Sequence, residues 1–170
     1  EQGPMASDIA PRIATAVAAL DFEEAARIAR EELGHKASRA TTPEMTEYVR
    51  SLRDLSEGLA RLSEMKRGIM EYINKQDEPV VLLNVQPHGR MLIESANREG
   101  YQLLSGGGVE TLTWAEAGPT VLVRLALKVY GRGSSENQRE TIQILAEIFG
   151  LKSKDGTNSK LPRRSLRNRE

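Results

Sequence analysis

From Met45 to Ile73, apolar residues recur at steps of mostly three or four: Met45, Tyr48, Val49, Leu52, Leu55, Leu59, Leu62, Met65, Ile69 and Ile73. An α-helix places residues at that spacing on one face. Thr42 and Pro43 start it, with proline at the first helical position and Glu44 in the first turn. At 1.5 Å per residue the stripe is roughly 45 Å long. A stripe of that length must be covered. Leu52, Leu55, Leu59 and Leu62 have the a/d spacing of a coiled-coil seam. Two covers are therefore open: an intramolecular bundle against the first 40 residues, or a symmetric homodimer through this helix. Gly58 and Gly68 weaken the helix by up to about 1 kcal/mol each relative to alanine, and they permit close packing.

The segment before the stripe reads as a helical hairpin. Ser7 or Asp8 caps a first helix, Pro11 lies in its first turn, and Ile9, Ile13, Ala16, Val17 and Leu20 keep helical spacing. Asp21 with Glu24 has capping-box spacing for a second helix, whose apolar face is Phe22, Ala25, Ala26, Ala29 and Leu33. Gly34 is expected to end it.

Pro79 changes the period. Val80 to Val85 is a short apolar run of the kind found in buried strands. Pro87-His88-Gly89, Asn97 to Gly100 and Ser105 to Gly108 read as turns. They separate strands at Met91–Glu94, Tyr101–Leu104 and Val109–Trp114. Four such strands over about 36 residues form an antiparallel meander. A sheet this small must curl into a partial barrel or pack on a helix. Val121 to Tyr130 alternates well enough for a fifth strand, and also fits a helix opened by Pro119. Ser134 or Ser135 caps a last helix through about Phe149, ended by Gly150.

Residues 68–150 resemble a compact accessory module of planctomycete-type bacterial multidomain proteins, in which a long helix leads into a small Sm-like or SH3-like barrel. The matching residues are Val81 to Val85, Gly89, Met91 to Ile93, Gly100 to Leu104, Gly106 to Gly108 and Val109 to Trp114. Trp114 to Pro119 carries most of the likeness. The resemblance implies a bacterial scaffold or interaction module, and a helix rather than a strand over 119–130.

The expected fold class is thus α+β: an N-terminal helical hairpin and long helix, packed with a four- or five-stranded antiparallel SH3/Sm-like meander and C-terminal helices. The expected divisions are 1–5, which reads as a cloning remnant; 6–76, helical; 77–150, the barrel-like module with capping helices; and 151–170, a basic flexible tail.

The charge pattern bears on partners. The formal net charge is +0, from 24 basic and 24 acidic residues. Residues 151–170 hold seven basic residues against Asp155 and Glu170, so the rest of the chain is acidic. Arg163, Arg164, Ser165, Leu166 and Arg167 form a candidate docking sequence. Ser165-Leu166-Arg167 resembles the Ser-Leu-Arg-type ends that load cargo into some bacterial shell compartments, and Arg163 to Leu166 resembles a basophilic kinase site. Nucleic-acid binding ranks below both, because no aromatic residue is interleaved for base stacking.

Catalytic signatures are not found. With no cysteine, disulfides, thiol catalysis and Cys-ligated metals are excluded. His35 and His88 sit in separate expected turns and form no metal-binding pair. Gly106-Gly107-Gly108 precedes a strand, not the helix that a phosphate loop needs. Glu23, Glu24, Glu31 and Glu32 fit a solvated helix face better than an acid–base pair. Arg90 and Arg98 in the meander lie next to Glu94 and Glu99, which is a poor nucleic-acid surface. Trp114, the one tryptophan, is either core filler at the strand–helix junction or an exposed peptide anchor.

These observations lead to a non-enzymatic protein-interaction or scaffold module, without a cofactor or metal, with Leu52, Leu55, Leu59, Leu62 and Trp114 as its candidate contacts. The alternative is a cargo or adaptor protein docked through its basic tail. With neither a signal peptide nor a membrane-spanning run, the expected location is the cytoplasm, without membrane insertion.

Overall fold

A computed structural model describes residues 9–131 and 135–150. Five helices and four strands follow in order: α1 (Ile9–Ala18), α2 (Phe22–Ala37), α3 (Pro43–Lys75), β1 (Val80–Val85), β2 (Gly89–Ala96), β3 (Gly100–Ser105), β4 (Gly108–Thr113), α4 (Trp114–Tyr130) and α5 (Glu136–Ile148). The expected α+β class holds. Residues 119–130 are helical, and the meander has four strands. The expected Ser7 or Asp8 cap, the Ser134 cap and the whole tail lie outside the described residues.

Local chemistry sets most boundaries. The Asp21 side chain accepts from Glu24 N at 3.2 Å, which starts α2. Gly34 does not end α2. The helix runs through it to Ala37, since a solvent-facing glycine costs only about 1 kcal/mol. Thr42 Oγ1 accepts from Met45 N at 3.2 Å and Pro43 opens α3. The fourth helix begins five residues before Pro119. Thr113 and Glu116 close a reciprocal capping box, so α4 starts at Trp114. Gly118, at φ 83° and ψ 172°, then kinks it and admits Pro119 inside the helix. Ser135 and Gln138 cap α5 in the same way.

The stripe of α3 is covered within the chain. Leu52, Leu59, Leu62, Met65, Ile69 and Ile73 join one buried cluster with α1, α2, the sheet, α4 and α5. The α1–α2 hairpin packs through α2 on α3, while β2, α4 and α5 contact α3 as well. The Tyr130 hydroxyl occupies the space where a Cβ on Gly68 would sit, so that glycine does permit close packing. Gly58 faces open space.

The sheet is a plain antiparallel meander, in the order β1-β2-β3-β4. It does not close into a barrel; of the two expected covers, a partial barrel or a helix, the helix is the one realised. β1 pairs with β2 alone and β4 with β3 alone, so both edges stay open. Helix α3 supplies the cover that closure would have provided. Val80, Leu82, Met91, Ile93 and Tyr101 point inward and are buried against the helices.

Two asparagines fix the sheet to its neighbours. Asn74 at the end of α3 behaves as a short strand beside β2. Its Nδ2 donates to Ala96 O, and its Oδ1 accepts from Ala96 N, both at 2.9 Å. Asn97 Oδ1 shapes the β2–β3 turn by accepting from Glu99 N at 2.9 Å and Gly100 N at 3.2 Å. Gly100 is required at that turn. A Cβ there would overlap Leu112 O and lie 2.6 Å from Thr113 Cα. Gly100→Ala should therefore destabilise the fold by about 3 kcal/mol, as overpacking does. Urea unfolding followed by circular dichroism measures this, and a change under about 0.5 kcal/mol would refute the close approach.

Candidate interaction surface

The residues singled out in the sequence have separate fates. Leu52 is 5% exposed, and Leu59 and Leu62 are buried more deeply. They belong to the intramolecular core and are not available as a dimer seam. Leu55, at 41% exposed, faces solvent without them. Arg163, Arg164, Ser165, Leu166 and Arg167 lie outside the described residues. Trp114 is buried, so it is no surface anchor.

Trp114 instead holds a joint between layers. Its indole Nε1 donates to Asn97 O at 2.9 Å, and its ring lies 4.4 Å from the Tyr101 ring at 55°. Lys66 Nζ sits 4.3 Å from the centroid of the Trp114 ring and donates to Leu20 O at 2.8 Å. Leu20 is fully buried with a left-handed φ of 56°, so the amine ties down a strained turn between α1 and α2. Burial lowers the Lys66 pKa, and the carboxylates of Asp21 and Glu23 oppose that shift. Burial raises the Tyr101 pKa, and its hydroxyl has no hydrogen-bond partner among the described residues.

No group of three or more histidine and acidic residues is placed to hold a metal among the described residues. A shallow pocket between α3, α4 and α5 has a volume of about 140 Å³ and is lined by Arg61, Glu64, Met65, Tyr130, Gln138 and Thr141. Pockets for small-molecule ligands usually measure about 300–1,000 Å³. Among the described residues, no helix is long and apolar enough to cross a membrane.

The distinctive surface is the outer face of the sheet. Alternation sends Val81, Leu83, Leu92, Leu104 and Val109 away from α3. Register aligns four of them. Val81 pairs with Leu92, and Leu104 with Val109. The Ile93↔Leu103 pair sets Leu92 beside Leu104. One aliphatic row therefore crosses all four strands, a span of about 14 Å at the usual strand spacing. Leu83 extends it along β1. Leu83 is 54% exposed and Val109 58%. Beside the row runs a polar one, Ser95–Gln102–Thr111, in which Ser95 Oγ donates to Gln102 Oε1 at 2.9 Å.

Sequence reading missed this surface. The unbroken run Val80 to Val85 reads as a strand buried on both faces, yet one of its faces is open. The signal lay in the alignment of four strands, which two bulges shift, between Leu82 and Val85 and between Ile93 and Ser95. Comparison with protein-family profiles, curated proteins and solved structures finds no match to this chain.

The Tyr101 environment generates a pH prediction. An unfolded tyrosine ionises near pH 10, whereas folded Tyr101 keeps its proton to higher pH. Stability is then fully present below pH 10 and falls above it, by up to about 1.4 kcal/mol per pH unit. Lys66 acts in the opposite sense. Its lowered pKa makes stability rise as pH climbs towards 10.5, and the effect saturates above that value. Tyr101→Phe separates the two effects. It should be neutral or stabilising by about 1 kcal/mol at pH 7, because it removes an unpartnered hydroxyl. It should also flatten the alkaline loss. Urea unfolding of both proteins between pH 8 and pH 11.5 measures the difference, and parallel curves would refute the assignment.

Proposed function

We propose that this chain is a non-enzymatic protein-interaction module that binds its partner through the outer face of the β-sheet. One observation carries the reading: the aliphatic row Val81–Leu92–Leu104–Val109, with Leu83, lies on the face opposite the core, its three inner members half-buried and Val109 and Leu83 exposed. Scattered exposed apolar residues are ordinary, but contiguous ones mark contact surfaces. The likeness of residues 68–150 to bacterial accessory modules points the same way. The α1–α2 hairpin, α3 and the C-terminal helices then serve as the scaffold that holds this face rigid.

A second reading places function in the basic tail, as in a cargo or adaptor protein. The charge asymmetry favours it: residues 151–170 are basic and the remainder is acidic.

Pull-down from native lysate separates the two. The baits are the intact chain, the truncation to residues 1–154 and the double variant Leu83→Lys/Val109→Lys. Both substitutions are at exposed positions and should change stability by no more than about 0.5 kcal/mol. The face reading expects a partner kept by the truncation and lost by the double variant. A partner kept by the double variant and lost on truncation would transfer function to the tail.

A further inference from the structure

The two edges of the sheet differ. β1 is protected. Pro79 precedes it, its pairing with β2 shifts between Leu82 and Val85, and Asn84 has a left-handed φ of 56°. Bulges and prolines are devices that blunt an edge against pairing with another chain. β4 has none of them. Its pairing with β3 is unbroken from Ser105↔Gly108 to Gly100↔Thr113, and it contains neither proline nor lysine.

Hydrogen-bond parity shows what that edge offers. The two-residue turn Gly106–Gly107 makes Ser105↔Gly108 the closing hydrogen-bonded pair. Gly108, Glu110 and Leu112 thus direct their backbone groups to β3, while Val109, Thr111 and Thr113 direct theirs outward. The Thr113 N–H is already used, donating to Glu116 Oε1 at 3.2 Å. Among the described residues, no backbone partner meets the outward groups of Val109 and Thr111.

We propose that β4 accepts an extended segment of a partner protein as a fifth strand, and that this segment has the pattern aliphatic–basic–aliphatic. The inference rests on reading the outer face as an interaction surface, and it specifies the occupant. Residues opposite Val109 and Thr111 fall on the outer face, where an aliphatic side chain prolongs the row Val81–Leu92–Leu104–Val109 to a fifth member. The residue opposite Glu110 falls on the other face. It occupies a non-hydrogen-bonded position, with Cα atoms about 4.5 Å apart, where opposite charges attract and like charges repel.

Other occupants fit less well. A β4–β4 pair between two copies sets two Glu110 carboxylates opposite each other if centred on Glu110. Centred on Thr111, it sets each carboxylate against a leucine. Stacking two outer faces buries only about 300 Å² per copy, against roughly 800 Å² in a stable interface. The chain's own tail has no aliphatic–basic–aliphatic triplet between residues 151 and 170.

The test uses the full ¹⁵N-labelled chain and a capped peptide, Ser-Thr-Val-Lys-Val-Thr-Ser, with a control in which glutamate replaces the lysine. The expected result is saturable shifts of the Val109, Glu110 and Thr111 amides, with a dissociation constant below about 1 mM and binding of the control weaker by about five-fold. Thr111→Pro removes an outward N–H without touching the β3 ladder, and should abolish binding while the circular dichroism spectrum stays folded. Glu110→Lys should invert the preference between the two peptides, so the test stands even if the proline variant unfolds. Absence of saturable shifts at these amides, or unchanged affinity in a folded Thr111→Pro, overturns strand addition. If the peptide fails while Leu83→Lys/Val109→Lys still loses its partner, the outer face remains the interaction surface and only strand addition falls.

Discussion

A helix of 33 residues with one apolar stripe is not stable as an isolated rod, and every other element of this protein answers that constraint. No single element is long enough to cover α3. The 16-residue α2 takes part of it, and β2, α4 and α5 take others. The core is therefore one cluster that follows the helix, with residues from both the helical hairpin and the sheet. Aromatic content of only 4% makes that cluster mostly aliphatic, with Phe22, Tyr101 and Trp114 as its large buried aromatics. Aliphatic packing has little directional preference, so the orientation of the layers falls to a few polar contacts.

Those contacts gather where α3 meets the sheet. Asn74 lends β2 a backbone-like pair of hydrogen bonds, Asn97 holds both its own turn and the Trp114 indole, and Lys66 bridges Trp114 to the α1–α2 turn. Each is a group with a desolvation cost that its partners offset. Lys66 illustrates the balance. Burial disfavours its charge, while the Trp114 ring, the Leu20 carbonyl and the nearby Asp21 and Glu23 favour it. Such contacts tolerate little displacement, so they fix the angle between hairpin, helix and sheet more sharply than the surrounding methyl groups do. A rigid joint here sets the position of the β2–β3 turn and, through Gly100, the line of β4.

Much of this architecture is legible in the order of residues. The α3 stripe, its Thr42-Pro43 start, the Asp21 cap, four strands and their turns depend on local periodicity and turn chemistry, which a sequence carries directly. The departures are instructive, and most of them needed non-local knowledge. Gly34 reads as a helix stop, yet continued packing of α2 on α3 outweighs the propensity of one exposed glycine. Pro119 reads as a helix start, yet the Thr113–Glu116 box begins α4 earlier and Gly118 absorbs the kink. A small sheet with tight turns leaves two ways to cover its inner face, curling into a partial barrel or packing on a helix, and only the placement of α3 decides for the second. Strong periodicity marks the residues that a core consumes, as it does Leu52, Leu59 and Leu62, while Leu55 alone of the four leucines stays exposed. The outer aliphatic row has no period along the chain, because its members come from four strands and align only through register.

The position of that row bears on how much its members contribute to folding. Cross-strand pairs on an exposed face contribute roughly 0.2–1 kcal/mol each, and aliphatic neighbours on both sides give Leu92 and Leu104 a structural purpose. That account weakens toward the edges. Val109 has a partner on one side only, Leu83 lies outside the row, and both are more than half exposed. Folding gains little from an aliphatic side chain at either position. The edges also diverge: the strand carrying Leu83 is guarded by a proline and a bulge, whereas the strand carrying Val109 has an unbroken register and only the charge of Glu110 against self-pairing. If aggregation resistance alone had shaped the sheet, both edges would need the same protection. An apolar row that runs out to an edge free of proline and bulge, whose single charge opposes a second copy, fits the proposed strand that completes it.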